Sequence, residues 1–90
     1  MAISLERDYP LIELRQEGSV YHLDVRALIE QGGEPYPCIM SCVGQLDAQT
    51  ELVVHAPFKP APLVRQLERM GLESSAAHVG PDHWTLTIRR

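Results

Sequence analysis

Val20-Tyr21-His22-Leu23-Asp24-Val25-Arg26 is the stretch from which the fold can be read. Tyr21, Leu23 and Val25 alternate with His22, Asp24 and Arg26. A period of two predicts a strand with one buried face. Leu28 and Ile29 follow, and Gln31-Gly32-Gly33-Glu34 reads as a loop, since paired glycines reach backbone angles that other residues resist.

Downstream, Ile39, Cys42, Val43 and Leu46 fall at i, i+3, i+4 and i+7, the stripe of one helix face. Proline is tolerated only in the first turn of a helix, so Pro37 marks the start, and Asp47 lies near the end. Gly44 falls inside this predicted helix, where a close neighbour such as a strand would explain it. Residues 51–55 carry Leu52-Val53-Val54, a short run without alternation that suits a central strand. A proline-dense turn, Ala56-Pro57-Phe58-Lys59-Pro60-Ala61-Pro62, leads into a second helix with Leu63, Val64, Leu67 and Met70 on its inner face. Gly71 is placed as the residue that ends it. A hairpin closes the chain: a weak polar strand over 72–79, the turn Gly80-Pro81-Asp82-His83, and a strand in which Trp84, Leu86 and Ile88 alternate with polar residues.

Upstream, the alternation of Ile12, Glu13, Leu14 and Arg15 suits a short edge strand, and Gly18 interrupts it. Ile3 and Leu5 belong to the same arm, and Tyr9-Pro10 reads as extended chain or a turn. Residues 1–19 are therefore expected to form an N-terminal arm or extra strand, and residues 20–90 a domain of order β-α-β-α-β-β. Right-handed crossovers place both helices on one face of the sheet. The expected fold class is α+β: a two-layer sandwich with a mixed four-stranded sheet and two helices. Its core is expected to draw on Tyr21, Leu23, Val25, Ile39, Val43, Leu46, Leu52, Val54, Leu63, Leu67, Met70, Trp84, Leu86 and Ile88.

Ninety residues suffice for one domain. The net charge of −4 argues against nucleic acid, which needs a basic face. No apolar run approaches the length of a membrane span, and no charged start followed by an apolar stretch suggests a leader. Two cysteines are too few for a disulfide scaffold. A cytoplasmic location is expected, with no cofactor, a protein partner, and a monomer or weak homodimer paired through the open sheet face.

The element order, the Leu23-Asp24-Val25-Arg26 strand and the Pro35-Tyr36-Pro37 at the first helix resemble the TusA/SirA sulfur-carrier superfamily. The closer likeness is to its TusA-related branch of conserved proteins of unknown function. That branch shows a similar run to Ala56-Pro57-Phe58-Lys59-Pro60-Ala61-Pro62-Leu63, a helix exit like Arg69-Met70-Gly71-Leu72, and a final strand centred on a residue like Trp84. The resemblance covers about residues 20–90. It implies a sulfur or redox setting. In the carriers the helix opens on Cys-Pro-x-Pro, whose cysteine bears a persulfide; here Glu34 stands at that position, and a carboxylate cannot form one. Lys59 also replaces an acidic residue common at the second helix start, which removes a capping acceptor.

Two functional readings follow. The first is a non-enzymatic module that binds a protein or small ligand through Glu34, Pro35, Tyr36, Pro37 and Phe58. Glu34 can cap the helix N–H groups, and Phe58 either tucks into the core or faces a partner. The second is a displaced persulfide carrier using Cys38, whose thiolate a helix N-terminus would favour; otherwise Cys38 is a small buried apolar residue. Cys42 reads as core packing. Asp24 and Arg26 read as ordinary surface charge on the non-core strand face. His22 and His55 become neighbours if their strands pair, which makes them the pair to consider for a transition metal. The chain carries no Ser-His-Asp order, phosphate-cradling glycine loop or paired catalytic carboxylates, so no enzymatic activity is expected.

Overall fold

The computed structural model describes residues 11–90. Ile3, Leu5 and Tyr9-Pro10 of the expected arm lie outside the described residues. The elements are β1 (Glu13–Glu17), β2 (Val20–Asp24), α1 (Arg26–Glu30), α2 (Tyr36–Val43), β3 (Glu51–Ala56), α3 (Ala61–Arg69), β4 (Glu73–Gly80) and β5 (His83–Arg89). They make an α+β fold with a five-stranded mixed sheet of order β1-β2-β3-β5-β4.

The alternation at Leu14 and Arg15 becomes β1, which pairs antiparallel with β2 through the tight Gly18-Ser19 turn. It is the extra strand and raises the sheet from the expected four strands to five. The β2–β3 pair is parallel, with His22 opposite Val53 and Asp24 opposite His55. The closing hairpin inserts its apolar member, β5, beside β3 and leaves the polar β4 at the edge. Edge strands tolerate such polarity because one of their sides meets water.

One sheet face is buried. Tyr21, Leu23, Leu52, Val54, Ala56, Leu86 and Ile88 are all buried, and their neighbours in sequence on these strands are not. β3 therefore alternates after all: Val53 and His55 are only half-buried, and the apolar run hid the period. The helices supply Cys38, Ile39, Cys42, Val43, Leu63 and Leu67 to the same core.

Several expectations are corrected. There are three helices among the described residues, not two. α1 occupies Arg26–Glu30, part of the segment after the first strand. Its single turn is too short to show a period; just before it, Asp24 Oδ1 accepts the Arg26 backbone N–H at 3.1 Å. α2 ends at Val43, short of Asp47, and Gly44 is its cap, not an interior residue. A Cβ on Gly44 would meet only the Met40 and Ser41 carbonyls at ordinary contact distance, so no strand explains it. The Arg90 guanidinium donates to the Leu46 and Val43 carbonyls at that end, where a cation suits the helix dipole.

Met70 and Trp84 leave the predicted core. Met70 is 46% exposed, and Leu72 takes the buried place instead. The cause is the exit of α3. Gly71 has φ +79°, Leu72 N–H donates to Leu67 O and Gly71 N–H to Glu68 O, both at 3.0 Å. That is a Schellman ending, which turns the chain so that the residue after the glycine packs back on the helix. Trp84 is half-buried at the end of β5 and stacks on His78, with centroids 4.6 Å apart.

Candidate functional site

Where the parallel strands β2 and β3 end, α1, α2 and α3 converge around an apolar cleft of about 180 Å³. Val25 and Ala56 come from the strand ends, Ile39 from α2 and Leu63 from α3, while Tyr36 and Phe58 stand at the cleft as exposed aromatics. Among its lining residues Glu34 is the only charged one. The loop from α1 to α2, which brings Glu34 and Pro35 to the cleft, is held close to α1. Gly33 N–H donates to Leu28 O at 2.9 Å, and a Cβ at Gly33 would collide with the Leu28 side chain.

Glu34, Pro35, Tyr36 and Phe58 are thus brought together from the entry to α2 and the β3–α3 loop, far apart in sequence. Pro37 is not part of the cleft; it is exposed on the first turn of α2. Glu34 Oε1 accepts the Tyr36 backbone N–H at 3.0 Å. The start of α3 has no side-chain cap, consistent with Lys59 preceding Pro60. Phe58 is 53% exposed and does not tuck into the core: the prolines around it keep its segment outside both helix and sheet. A wider hollow of about 680 Å³ elsewhere is open and lined with charged groups, including Glu13, Asp24, Arg26 and Glu30.

Cys38 lies in the first turn of α2, facing the core. It has no exposed surface, and burial pushes its thiol above the usual range. Cys42, equally buried, is pushed up to about 12 by burial and by Cys38 beside it. Desolvation outweighs the helix-end field because a thiolate there would lose all its water.

The opposite, open face of the sheet carries a second constellation. His22 Nε2 lies 2.8 Å from Glu17 Oε1. His22 Nδ1 meets His55 Nε2 at 3.0 Å, and His55 Nδ1 meets His83 Nε2 at 2.8 Å. The residues sit on β1, β2, β3 and β5, four successive strands. Pairing of β2 with β3 was the condition for His22 and His55 to meet, and it is fulfilled. His83 was missed: only the antiparallel β3–β5 register, His55 opposite Thr85, brings a residue from the hairpin turn to this point. The facing nitrogens are shared in hydrogen bonds and not aimed at a common point. Among the described residues no three of His, Cys, Asp or Glu are arranged to hold a metal ion.

Beside this chain, Arg26 donates to both Asp24 oxygens, at 3.0 and 2.7 Å. That hydrogen bonding holds the Asp24 carboxyl below its ordinary range. Asp24 and Arg26 therefore serve the start of α1 as well as the surface. Burial lowers the His55 imidazole, with the neighbouring histidines adding to the effect and Asp24 opposing it.

Residues 22–90 match the family described as uncharacterized conserved protein (DUF2249), and the chain belongs to that family. No curated protein and no solved structure matches the chain. Among the described residues no helix is long and apolar enough to cross a membrane.

Proposed function

We propose that this member of the DUF2249 family is a non-catalytic binding module that takes a ring-sized apolar group into the cleft between the strand ends and the helix starts. The observation that carries the reading is the lining: apolar side chains from seven elements and loops around about 180 Å³, with one carboxylate. An apolar cavity of about 150 Å³ in another protein stays dry and takes up benzene, so this cleft suits a single aromatic ring. The ring belongs to a small ligand or to a side chain of a partner protein. Tyr36 and Phe58, exposed beside the cleft, would then cover it.

A TusA-like relation is part of the proposal. Its support is the order of elements from β2 onward, with α1 added, and Pro35-Tyr36-Pro37 at the start of α2 beside the cleft. The relation places the module in a sulfur or redox setting. With Glu34 at the carrier position and Cys38 buried, the cleft presents no accessible thiol, so recognition, not sulfur transfer, is the role we assign.

Titration of the protein with indole, followed by amide and methyl NMR, tests this. Saturable shifts at Ile39, Ala56 and Leu63 are expected. Shifts confined to other parts of the surface, or none up to the solubility of indole, would overturn it.

A further inference from the structure

We propose that Glu17, His22, His55 and His83 form a proton relay that accepts one proton and excludes a second, an acid-sensitive latch across four strands of the sheet. The argument is a count of hydrogens. Three contacts join the four groups, at 2.8, 3.0 and 2.8 Å, and each needs one hydrogen between its two heavy atoms. Three neutral imidazoles carry three N–H groups. The ionised Glu17 can only accept, so His22 must hold its hydrogen on Nε2. His22 Nδ1 is then an acceptor, His55 must donate from Nε2, and His83 must donate from Nε2 in turn. One carboxylate at the edge of the sheet sets the tautomer of all three rings.

An added proton enters at His83 Nδ1, which lies outside the chain of contacts, beside the exposed Pro81-Asp82 turn. His83 then passes its Nε2 hydrogen to His55 Nδ1, and His55 passes its own to His22 Nδ1. His55 and His83 end neutral with hydrogens on Nδ1, and His22 ends as an imidazolium against the Glu17 carboxylate. Each contact still holds one hydrogen, and no other reactant is needed. A second proton on the imidazoles has no such place. It sets two N–H groups against each other across a contact of 2.8 or 3.0 Å, in a site where burial already disfavours charge on His55.

The charged groups facing the chain do not change the count. Arg15 is 3.4 Å from Glu17, and Asp24 is engaged by Arg26. Glu13 also lines the hollow next to the histidines. The unfolded chain has the same three imidazoles free to take three protons. The folded sheet therefore gives way once the pH forces a second proton in.

Long-range ¹H–¹⁵N NMR of the imidazoles, from pH 8.5 to 5, is the test. His78, stacked on Trp84 outside the chain, serves as an internal reference. We expect His22, His55 and His83 as Nε2–H tautomers at high pH. On acidification the three should share the uptake of one proton in a coupled transition, and further uptake should coincide with loss of the native amide spectrum. Glu17→Gln, on the exposed edge, should scramble the tautomers without unfolding the protein. His55→Leu should let His22 and His83 take one proton each in the folded state. Three full, independent titrations in an intact fold, or a wild-type tautomer pattern in Glu17→Gln, would overturn the proposal.

Discussion

Ala56→Val tests whether the cleft is open space. Ala56 is buried at the end of β3 and lines the cleft. Valine adds two carbons there. If they enter unfilled apolar volume, each contributes up to about 0.8 kcal/mol, or about 1.6 kcal/mol together. Partial contact brings this nearer about 1 kcal/mol, and a β-branched residue also suits a strand. For a domain of this size about 1 kcal/mol moves the melting temperature by roughly 4–8 °C. Urea and thermal unfolding measure the gain, and indole titration measures the consequence, since the added methyls occupy the binding volume. Stabilisation with loss of indole binding is expected. Destabilisation by about 1–3 kcal/mol, the cost of overpacking, would show that the space is already taken. Unchanged indole binding in a stabilised variant would place the ligand elsewhere.

Three further outcomes follow from the same geometry. Gly71→Ala should cost about 1–2 kcal/mol, because φ +79° is strained for a residue with a Cβ even with open space around it; Gly44→Ala, at φ −63°, should be neutral or gain about 0.5 kcal/mol. Urea unfolding of the two variants separates them, and equal effects would refute the Schellman reading. Asp24→Asn should cost up to about 1 kcal/mol at pH 7 through the loss of a half-exposed, doubly hydrogen-bonded ion pair with Arg26. Asp24 is lowered in the folded state, so its contribution is present above its ordinary value of 3.8 and is lost as pH falls below it; the stability difference between wild type and variant, measured by urea unfolding, should be full at pH 7 and shrink only on acidification. Finally, Cys38 and Cys42 should resist a thiol reagent at pH 8 in the native protein and both react in denaturant, since burial raises both thiols. Rapid native labelling of Cys38 would return it to candidacy as a carrier.

The elements with a long period were legible in the residues. Tyr21, Leu23 and Val25, the stripe from Ile39 to Leu46, and Leu86 with Ile88 announce their buried faces because the hydrophobic pattern and the backbone repeat coincide. Gly71 was legible because few residues other than glycine adopt a positive φ at a helix exit. α1 was not legible, since one turn carries no period and no capping side chain announces it. Met70 carried a helix-face signal that the Schellman turn overrode by burying Leu72 in its place.

The sites divide in the same way. Glu34, Pro35, Tyr36 and Phe58 could be singled out from local chemistry, but their meeting at one cleft depends on parallel β2 and β3 ending side by side. The burial of Cys38 is reported by no local signal: a helix start suggests an exposed thiol, and the fold turns this one into the core. His83 read as a turn residue, and only the insertion of β5 beside β3 makes it the third ring of a chain that begins at Glu17. By itself the sequence determined the strands, the two longer helices and the main core positions, because those follow from periodicity along the chain. Strand order and register decided which distant side chains share a cleft or a hydrogen bond, because those contacts cross the sheet and leave no trace in the spacing of residues.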